Sequence, residues 1–222
     1  INSPQNPTGS VLTPADLEAV GKLAAERGIW ILSDEIYSRI LYDHEHDSVL
    51  RYGDPDRIVV LDGFSKTYAM TGGRLGYGIM SKDFAASMAR LQTNATSCTA
   101  AMIQRAGLEA LTGPQDGVDT MVTEFRRRRD VIVEGLNAID GVTCVVPHGA
   151  FYAFPNIKGT GLSSRDLEAR LLSEGGVAAL SGTAFGAHGD GYLRFSYANS
   201  VENIREALDR LASFLAGAPA AT

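Results

Sequence analysis

With 222 residues, 45% of them hydrophobic and 21% charged, the chain can form one large domain or two small ones around a sizeable core. Its net charge of −6 argues against a dedicated nucleic-acid-binding protein, and no apolar run approaches the roughly 18 residues that a membrane span needs. Two cysteines provide no disulfide framework, which favours a reducing, cytoplasmic environment.

The chain begins with a loop and a helix. Residues 1–9 are rich in turn-forming residues and predict an ordered loop. Thr13, followed by Pro14 and Asp16, has the pattern of a helix N-cap, and we expect this helix to stop at Gly28.

The continuous apolar run of residues 29–33 predicts a central parallel strand that is covered on both faces. Asp34 and Tyr37 follow its carboxyl end, where open α/β sheets bind their ligands. A carboxylate there is suited to pair with a protonated ring nitrogen, and the phenol is suited to donate to a neighbouring oxygen. The alternative is that Asp34 only caps the next turn.

A second strand is predicted over residues 58–62 and a third over residues 75–80, with Ser65 and Lys66 in the turn between them. A lysine at the end of a buried strand loses its proton more easily and can form a Schiff base with an aldehyde. Arg74 and the hydroxyl of Ser65 are suited to hold a phosphate. The pattern therefore indicates a site for a phosphorylated carbonyl cofactor, with an ordinary surface lysine as the alternative.

Two helical patterns over residues 82–94 and 100–111 end at Gly113-Pro114, where we place the domain boundary. This gives predicted domains of residues 1–114 and 115–222. A long helix over residues 119–139 then carries four consecutive arginines, which we expect to spread over a solvated surface.

The second predicted domain has an α+β pattern. Its predicted elements are strands over residues 142–146, 151–154, 177–180 and 192–197, a helix capped by Ser163, a closing helix over residues 201–215 capped by Ser200, and a disordered tail over residues 216–222.

Two further groups of polar residues have alternative interpretations. Arg194 lies within an apolar strand, so its charge needs an anion, which is either a substrate carboxylate or the acid of a structural ion pair. Residues 43–47 contain two histidines and three acids, and we interpret them as a polar surface loop rather than a metal site.

Five motifs resemble those of the class I and II aminotransferases, which are pyridoxal 5'-phosphate (PLP) enzymes of fold type I. In chain order they are Asn6-Pro7-Thr8-Gly9, Ser33-Asp34-Glu35-Ile36-Tyr37, the segment from Ser65 to Tyr77, Gly149-Ala150-Phe151-Tyr152 and Leu193-Arg194-Phe195-Ser196-Tyr197-Ala198. The resemblance implies an α/β fold, with part of a mostly parallel large-domain sheet and a C-terminal α+β small domain. It also implies ping-pong transfer of an amino group between an amino acid and a 2-oxo acid.

The resemblance assigns most of the candidate residues to the cofactor. Lys66 would hold PLP as a Schiff base and, once released by the substrate, move the proton during catalysis. Asp34 would keep the pyridine nitrogen protonated, and Tyr37 would hydrogen-bond the phenolic oxygen of the ring. Ser65 and Arg74 would hold the phosphate.

Two residues are assigned to the substrate by the same resemblance. Arg194 would grip the α-carboxylate with two parallel hydrogen bonds. Asn6 would lie beside the substrate and, like the tyrosine, would hydrogen-bond the phenolic oxygen of the cofactor.

The sequence departs from the family pattern in two respects. Family members carry a segment before the Asn-Pro-Thr-Gly loop, with a glycine-rich turn for the phosphate, a ring-stacking aromatic residue and part of the dimer contact, so we expect a truncated chain. Gly73 stands where many relatives have an aromatic residue, which predicts a more open pocket wall beside Arg74.

Because family members dimerise and the truncation would uncover apolar surface, we expect a homodimer or higher oligomer. Two alternative functions stay open: a hydrolase or esterase that acts through Ser65, and a non-catalytic fragment. The sequence shows no evident Ser-His pair, which counts against the hydrolase.

Overall fold

The structure is a computed structural model that describes residues 1–217. It divides into two compact units. The first unit comprises Ile1–Gln5 and Ser10–Thr120, and the second comprises Asn6–Gly9 and the chain from Met121 onward. The assignment of residues 1–114 and 115–222 as domains stays a prediction.

The first helix, α1 (Pro14–Arg27), begins and ends as its sequence predicts. The Asp16 N–H donates to Thr13 Oγ1 (3.2 Å), and the Thr13 N–H donates to the Asp16 carboxylate (2.9 Å), which completes a capping box. Gly28 ends the helix in the left-handed conformation, with φ 64°. The predicted helix is therefore confirmed at both ends.

The sheet of the first unit contains β1 (Ile31–Asp34), β2 (Ile58–Gly63) and β3 (Gly76–Ile79) in that order. Strands β1 and β2 run parallel, and β3 runs antiparallel to β2. As a result, the carboxyl ends of β1 and β2 lie side by side at one edge of the sheet.

Only one face of this sheet is well covered within the first unit. Its core cluster is built from buried side chains of α1, the strands and the short helix that follows β1: Leu17, Ala24, Ile31, Val49, Ile58 and Val60. On the opposite face, Leu32 is 56% exposed and Leu61 is 39% exposed. The expectation that the first strand is covered on both faces is therefore wrong for the described residues, because α1 covers a single face.

The first unit continues with α2 (Lys82–Ala95) and α3 (Ala101–Thr112), within one residue of the predicted ends. No residue of α2 is buried, and in α3 only Gly107 is buried. The next helix, α4 (Asp116–Asn137), begins three residues earlier than predicted and continues into the second unit.

The second unit contains a small antiparallel sheet and two further helices. The sheet has the order β4 (Tyr152–Ala153), β6 (Leu193–Ser196), β5 (Leu180–Ser181). Helices α5 (Ser164–Ser173) and α6 (Val201–Gly217) follow their predicted caps. Ser163 Oγ accepts from the Asp166 N–H (3.1 Å), and Ser200 Oγ accepts from the Asn203 N–H (3.2 Å).

The predicted strand over residues 142–146 does not form, and Thr143 makes only an isolated bridge to Asn156. A side chain takes the place of a strand partner: Asn137 Nδ2 donates to the Cys144 carbonyl (3.0 Å), and the Cys144 N–H donates to Asn137 Oδ1 (2.8 Å). Pro147 follows shortly afterwards and has no N–H for a ladder. The apolar run is therefore held as an irregular segment by one amide.

The four arginines of α4 do not all lie on a solvated surface, as the sequence analysis expected. Arg129 is buried, with its Nε donating to Asp130 Oδ1 (2.8 Å) and its Nη1 donating to the Pro147 carbonyl (3.4 Å). Neighbouring helical residues point about 100° apart, so one of four consecutive side chains turns inward.

At the C-terminus, the predicted tail overlaps α6. Residues 216 and 217 belong to the helix, and the rest of the predicted tail lies outside the described residues. Within residues 1–217, no helix combines the length and apolar character that crossing a membrane requires.

Candidate functional site

Lys66 lies in a tight turn that follows β2. The Met70 N–H donates to the Phe64 carbonyl and the Ala69 N–H donates to the Lys66 carbonyl, both at 3.1 Å. Within this turn Ala69 adopts the left-handed backbone conformation, with φ 52°. The turn fixes the backbone position of Lys66, and the lysine is only partly exposed.

Tyr37 brings the end of β1 next to this lysine. The Lys66 ammonium lies 5.9 Å from the centre of the Tyr37 ring, within cation–π range, and the tyrosine is buried. The two residues come from the carboxyl ends of neighbouring parallel strands, where the sequence predicts a ligand site.

Asp34, the last residue of β1, is held by its backbone and by one carboxylate oxygen. Its carbonyl accepts from the Ser3 N–H (3.2 Å) and from Asn2 Nδ2 (3.0 Å). Its Oδ1 accepts from the Ile36 N–H (3.2 Å), so the turn-capping interaction foreseen as an alternative does form. This hydrogen bond uses one oxygen of the carboxylate and orients the other.

Arg74 closes the short helix Thr71–Gly73, with φ 52°, and its Nη1 donates to the Thr71 carbonyl (3.1 Å). Its guanidinium therefore makes a contact within its own turn. Beside it, a Cβ on Gly73 would lie 3.3 Å from Ile103 Cγ2 and 3.6 Å from Met70 Cε. The side chains of Ile103 and Met70 therefore lie beside Gly73, where the sequence predicts a more open pocket wall.

Ser65, next to the lysine, is partly exposed. Within residues 1–217 it makes no hydrogen bond to a histidine, so the arrangement that a serine hydrolase needs is not formed there.

Asp62, near the end of β2, and its neighbour Tyr77 both have raised pKa values. Burial raises the pKa of Asp62, although Gly63 N–H, Ser38 Oγ and Tyr77 OH all donate to its carboxylate. Burial and the Asp62 carboxylate raise the pKa of Tyr77 to about 12. The tyrosine therefore stays a hydrogen-bond donor at neutral pH.

In the second unit, the side chain of Arg194, on the central strand β6, lies against two aromatic rings. Its guanidinium carbon lies 4.6 Å from the centre of the Tyr152 ring and 5.1 Å from that of Phe185. Its Nη1 donates to Asn6 Oδ1 (2.8 Å). Its Nε is buried and, within residues 1–217, has no hydrogen-bond partner.

The loop that carries Asn6 is attached to this unit by its backbone. The N–H groups of His148 and Gly149 both donate to the Gly9 carbonyl, at 2.9 and 3.0 Å. Gly9 has φ 68°, and a Cβ there would collide with Pro147 Cβ, so no larger residue fits. Two backbone hydrogen bonds therefore hold the loop against the segment that contains His148 and Gly149.

The structure thus joins two pairs of the predicted site residues, Lys66 with Tyr37 in the first unit and Arg194 with Asn6 in the second. Tyr152 belongs to one of the motifs noted in the sequence, but its contact with the guanidinium was not predicted, and neither was that of Phe185. No signal in the sequence marks Phe185, because an aromatic residue after a turn is common. Within residues 1–217, no cluster of three or more His, Cys, Asp or Glu side chains is arranged to hold a metal.

The chain also matches a known protein family. The family model for aminotransferase class I and II matches residues 1–211. This chain belongs to the class I and II aminotransferase family. Members of the family are generally PLP-dependent, and the comparisons give no support to the hydrolase alternative.

Several aminotransferases are similar over nearly the whole chain. The aromatic-amino-acid aminotransferase 2 of Thermococcus litoralis is 41% identical over 219 residues, which cover 97% of this chain and 56% of the relative. The solved aromatic aminotransferase of Pyrococcus horikoshii is 39% identical with a TM-score of 0.93, covering 97% of this chain and 58% of that structure. The solved aspartate aminotransferase of Rhizobium meliloti is 37% identical with a TM-score of 0.92, covering 97% and 57%.

This aminotransferase-family chain therefore spans about half the length of the curated relatives that it matches. Over that length it has the α/β architecture of fold type I aminotransferases, as the sequence predicts.

Proposed function

We propose that this chain carries cofactor-binding and substrate-binding residues of a PLP-dependent aminotransferase. The reaction would transfer an amino group from an amino acid to a 2-oxo acid in two ping-pong halves, as the family resemblance implies. The relatives named above act, by their names, on aromatic amino acids and on aspartate. Both classes of amino donor are therefore the first to test.

The observation that carries this proposal is the unpaired Nε of Arg194. A buried donor without a partner is costly, and an arginine fork matches a carboxylate with two parallel hydrogen bonds. Asn6 holds one end of the guanidinium, and the rings of Tyr152 and Phe185 fix its plane. A substrate α-carboxylate would complete this arrangement.

Lys66 is the residue that we propose holds the cofactor covalently. Its partial burial and its place over the Tyr37 ring suit an amine that binds an aldehyde and later moves a proton at Nζ. When bound, PLP would supply an electron sink that stabilises negative charge on the carbon bearing the amino group.

Three other residues of the first unit have proposed roles toward the cofactor. The Asp34 carboxylate, oriented by the Ile36 N–H, would hold a proton on the ring nitrogen. The Tyr37 phenol would donate to a ring oxygen, and Ser65 and Arg74 would bind the phosphate. Arg74 would exchange its contact with the Thr71 carbonyl for the stronger charge-assisted bond to phosphate.

We also propose a cytoplasmic location and a homodimer or higher oligomer. Both structurally described cysteines are free thiols, which fits a reducing compartment. The exposed apolar side chains on the sheet and on helices α2 and α3 of the first unit favour association, and no nucleic-acid partner is proposed.

The proposal is tested by incubating the purified chain with PLP, dialysing it, and recording the visible absorption spectrum. We expect a retained band in the wild type and in Lys82→Ala, which removes an exposed lysine of α2. Lys66→Ala should lose the band, and borohydride should fix the cofactor to Lys66 in the wild type. A colourless wild type, or a band that persists in Lys66→Ala, would contradict the proposal.

A further inference from the structure

A buried carboxylate lies directly behind Asp34. Successive residues of a strand point to opposite faces, so Ser33 and Glu35 share one side and Asp34 shares the side of Leu32. Ser33 and Glu35 are 1% and 5% exposed, whereas Leu32 is largely exposed. Glu35 therefore anchors the back of the segment whose front presents Asp34.

All the hydrogen bonds of the Glu35 side chain tie this segment to its surroundings. Its Oε1 accepts from Ser33 Oγ (3.0 Å) and Ser48 Oγ (2.8 Å), and its Oε2 lies 2.8 Å from His46 Nε2. An ionised carboxylate only accepts hydrogen bonds, so the imidazole is the donor. The Glu35 N–H also donates to the Leu61 carbonyl of β2 (2.8 Å).

The loop that presents His46 is itself firmly held. Asp47 accepts from the Tyr52 hydroxyl (2.6 Å) and the Ser48 N–H (2.9 Å). Ser48 also caps the short helix Val49–Arg51, whose first side chain is buried in the core of the first unit. The segment that carries His46 is therefore held in place by its own hydrogen bonds and packing, which fixes the position of the imidazole next to Glu35.

From this geometry we infer that Glu35 and His46 are positioning residues for the aminotransferase reaction. They hold the segment 34–37 from behind, so that Asp34 and Tyr37 keep the orientation that cofactor binding requires. The inference rests on the proposed function, and it gives a role to a histidine that the sequence analysis placed in a plain surface loop.

The backbone on either side of Glu35 connects the pair to Asp34. Glu35 lies between Asp34 and Ile36 in the chain. The Ile36 N–H donates to the Asp34 carboxylate (3.2 Å), and this hydrogen bond orients Asp34. If the imidazole is removed, a buried carboxylate loses one of its donors and must shift toward water. That shift moves the peptide units on both sides of Glu35 and breaks the Asp34–Ile36 contact.

The first test needs no cofactor: native-state hydrogen exchange at the Ile36 amide, measured by NMR on the full chain. His46→Ala should speed this exchange by roughly 10- to 150-fold, the effect of losing one hydrogen bond to a charged group. His46→Gln keeps a side-chain donor and should restore protection. His44→Ala, an exposed histidine of the same loop, is the matched control and should exchange like the wild type.

The second test is the dissociation constant for PLP, with borohydride fixation to Lys66 as the check that chemistry at the lysine is intact. His46→Ala should weaken PLP binding roughly tenfold, while His46→Gln and His44→Ala bind like the wild type. Unchanged exchange at Ile36 in His46→Ala overturns the inference. So does faster exchange with an unchanged dissociation constant, because the pair would then be structural only.

The two tests separate this inference from the proposed function. If the wild type retains no PLP, the proposed function fails and the positioning role for the reaction fails with it. If the wild type binds PLP through Lys66 and only the His46→Ala comparison shows no effect, the proposed function stands and the positioning role alone is overturned.

Discussion

Replacing Arg194 with lysine tests the substrate site most directly. The substitution keeps a positive charge on β6 but removes the planar fork and the Nε that has no partner within the described residues. A lysine ammonium can donate to one carboxylate oxygen, but it cannot make two parallel hydrogen bonds from a planar group that lies over the rings of Tyr152 and Phe185.

The size of the effect follows from the contacts that are lost. A hydrogen bond to a charged group is worth about 1.5–3 kcal/mol. Each of the two ring contacts that hold the guanidinium plane adds about 0.5–1 kcal/mol. A lysine recovers part of the electrostatic attraction, so we expect a net loss of about 2–4 kcal/mol, or roughly 30- to 1,000-fold in kcat/KM for an amino donor.

The assay compares an amino acid donor with the corresponding amine that lacks the carboxylate, in the first half-reaction of the PLP-loaded protein. Arg194→Lys should slow the amino acid by the factor above and leave the amine within about threefold, because only the amino acid has a carboxylate to lose. Arg205→Lys, a change on the exposed side of α6, is the control. An equal loss for both donors would refute a carboxylate-binding role and indicate a general structural defect.

Three predictions concern the second unit and its stability. Asn137→Ala should lower the free energy of unfolding by about 2–3 kcal/mol in urea titrations, because the buried Cys144 loses partners for both its N–H and its carbonyl; no change would mean that water replaces the amide. Burial raises the pKa of the Cys144 thiol to about 11, so at pH 8 it should react with a thiol reagent only after unfolding, and rapid labelling of the native chain at this residue would contradict the structure. Hydrogen bonds from Arg127 and Arg128 lower the pKa of Glu124 to about 2 from its ordinary 4.5, so this carboxylate stabilises the folded state above pH 4.5 and loses that contribution as the pH falls toward 2. NMR titration should find its midpoint near 2, and it should move upward in Arg128→Gln.

Much of the fold was predicted because its signals are local. The cap formed by Thr13 and Asp16 and the stop at Gly28 act within one or two helical turns, and both are observed as predicted. The strand that ends at Asp34 and the turn that contains Lys66 are likewise encoded by short apolar runs and their breakers. The predicted helices of both units end close to their expected positions for the same reason.

The candidate site was predicted less completely, since its contacts join residues that are far apart in sequence. Asn6 and Arg194 are 188 positions apart, and their hydrogen bond exists only because the Gly9 carbonyl attaches the loop to the second unit. The contact between His46 and the buried Glu35 was not predicted. A run of histidines and acids has the composition of a solvated loop, and the sequence alone does not show that this run lies next to the end of β1.

Local patterns were enough to predict the helices, the strand that ends at Asp34, the lysine turn and membership of the aminotransferase family, because short-range capping, periodicity and motif order carry that information. Contacts between distant segments instead determine that residues 142–146 are held by Asn137 and form no strand, that Arg129 is buried, and that two aromatic rings lie against Arg194. These outcomes depend on which side chains lie next to an unpaired backbone group or a charge in the folded chain. That competition is settled by packing between distant segments, which local sequence patterns do not encode.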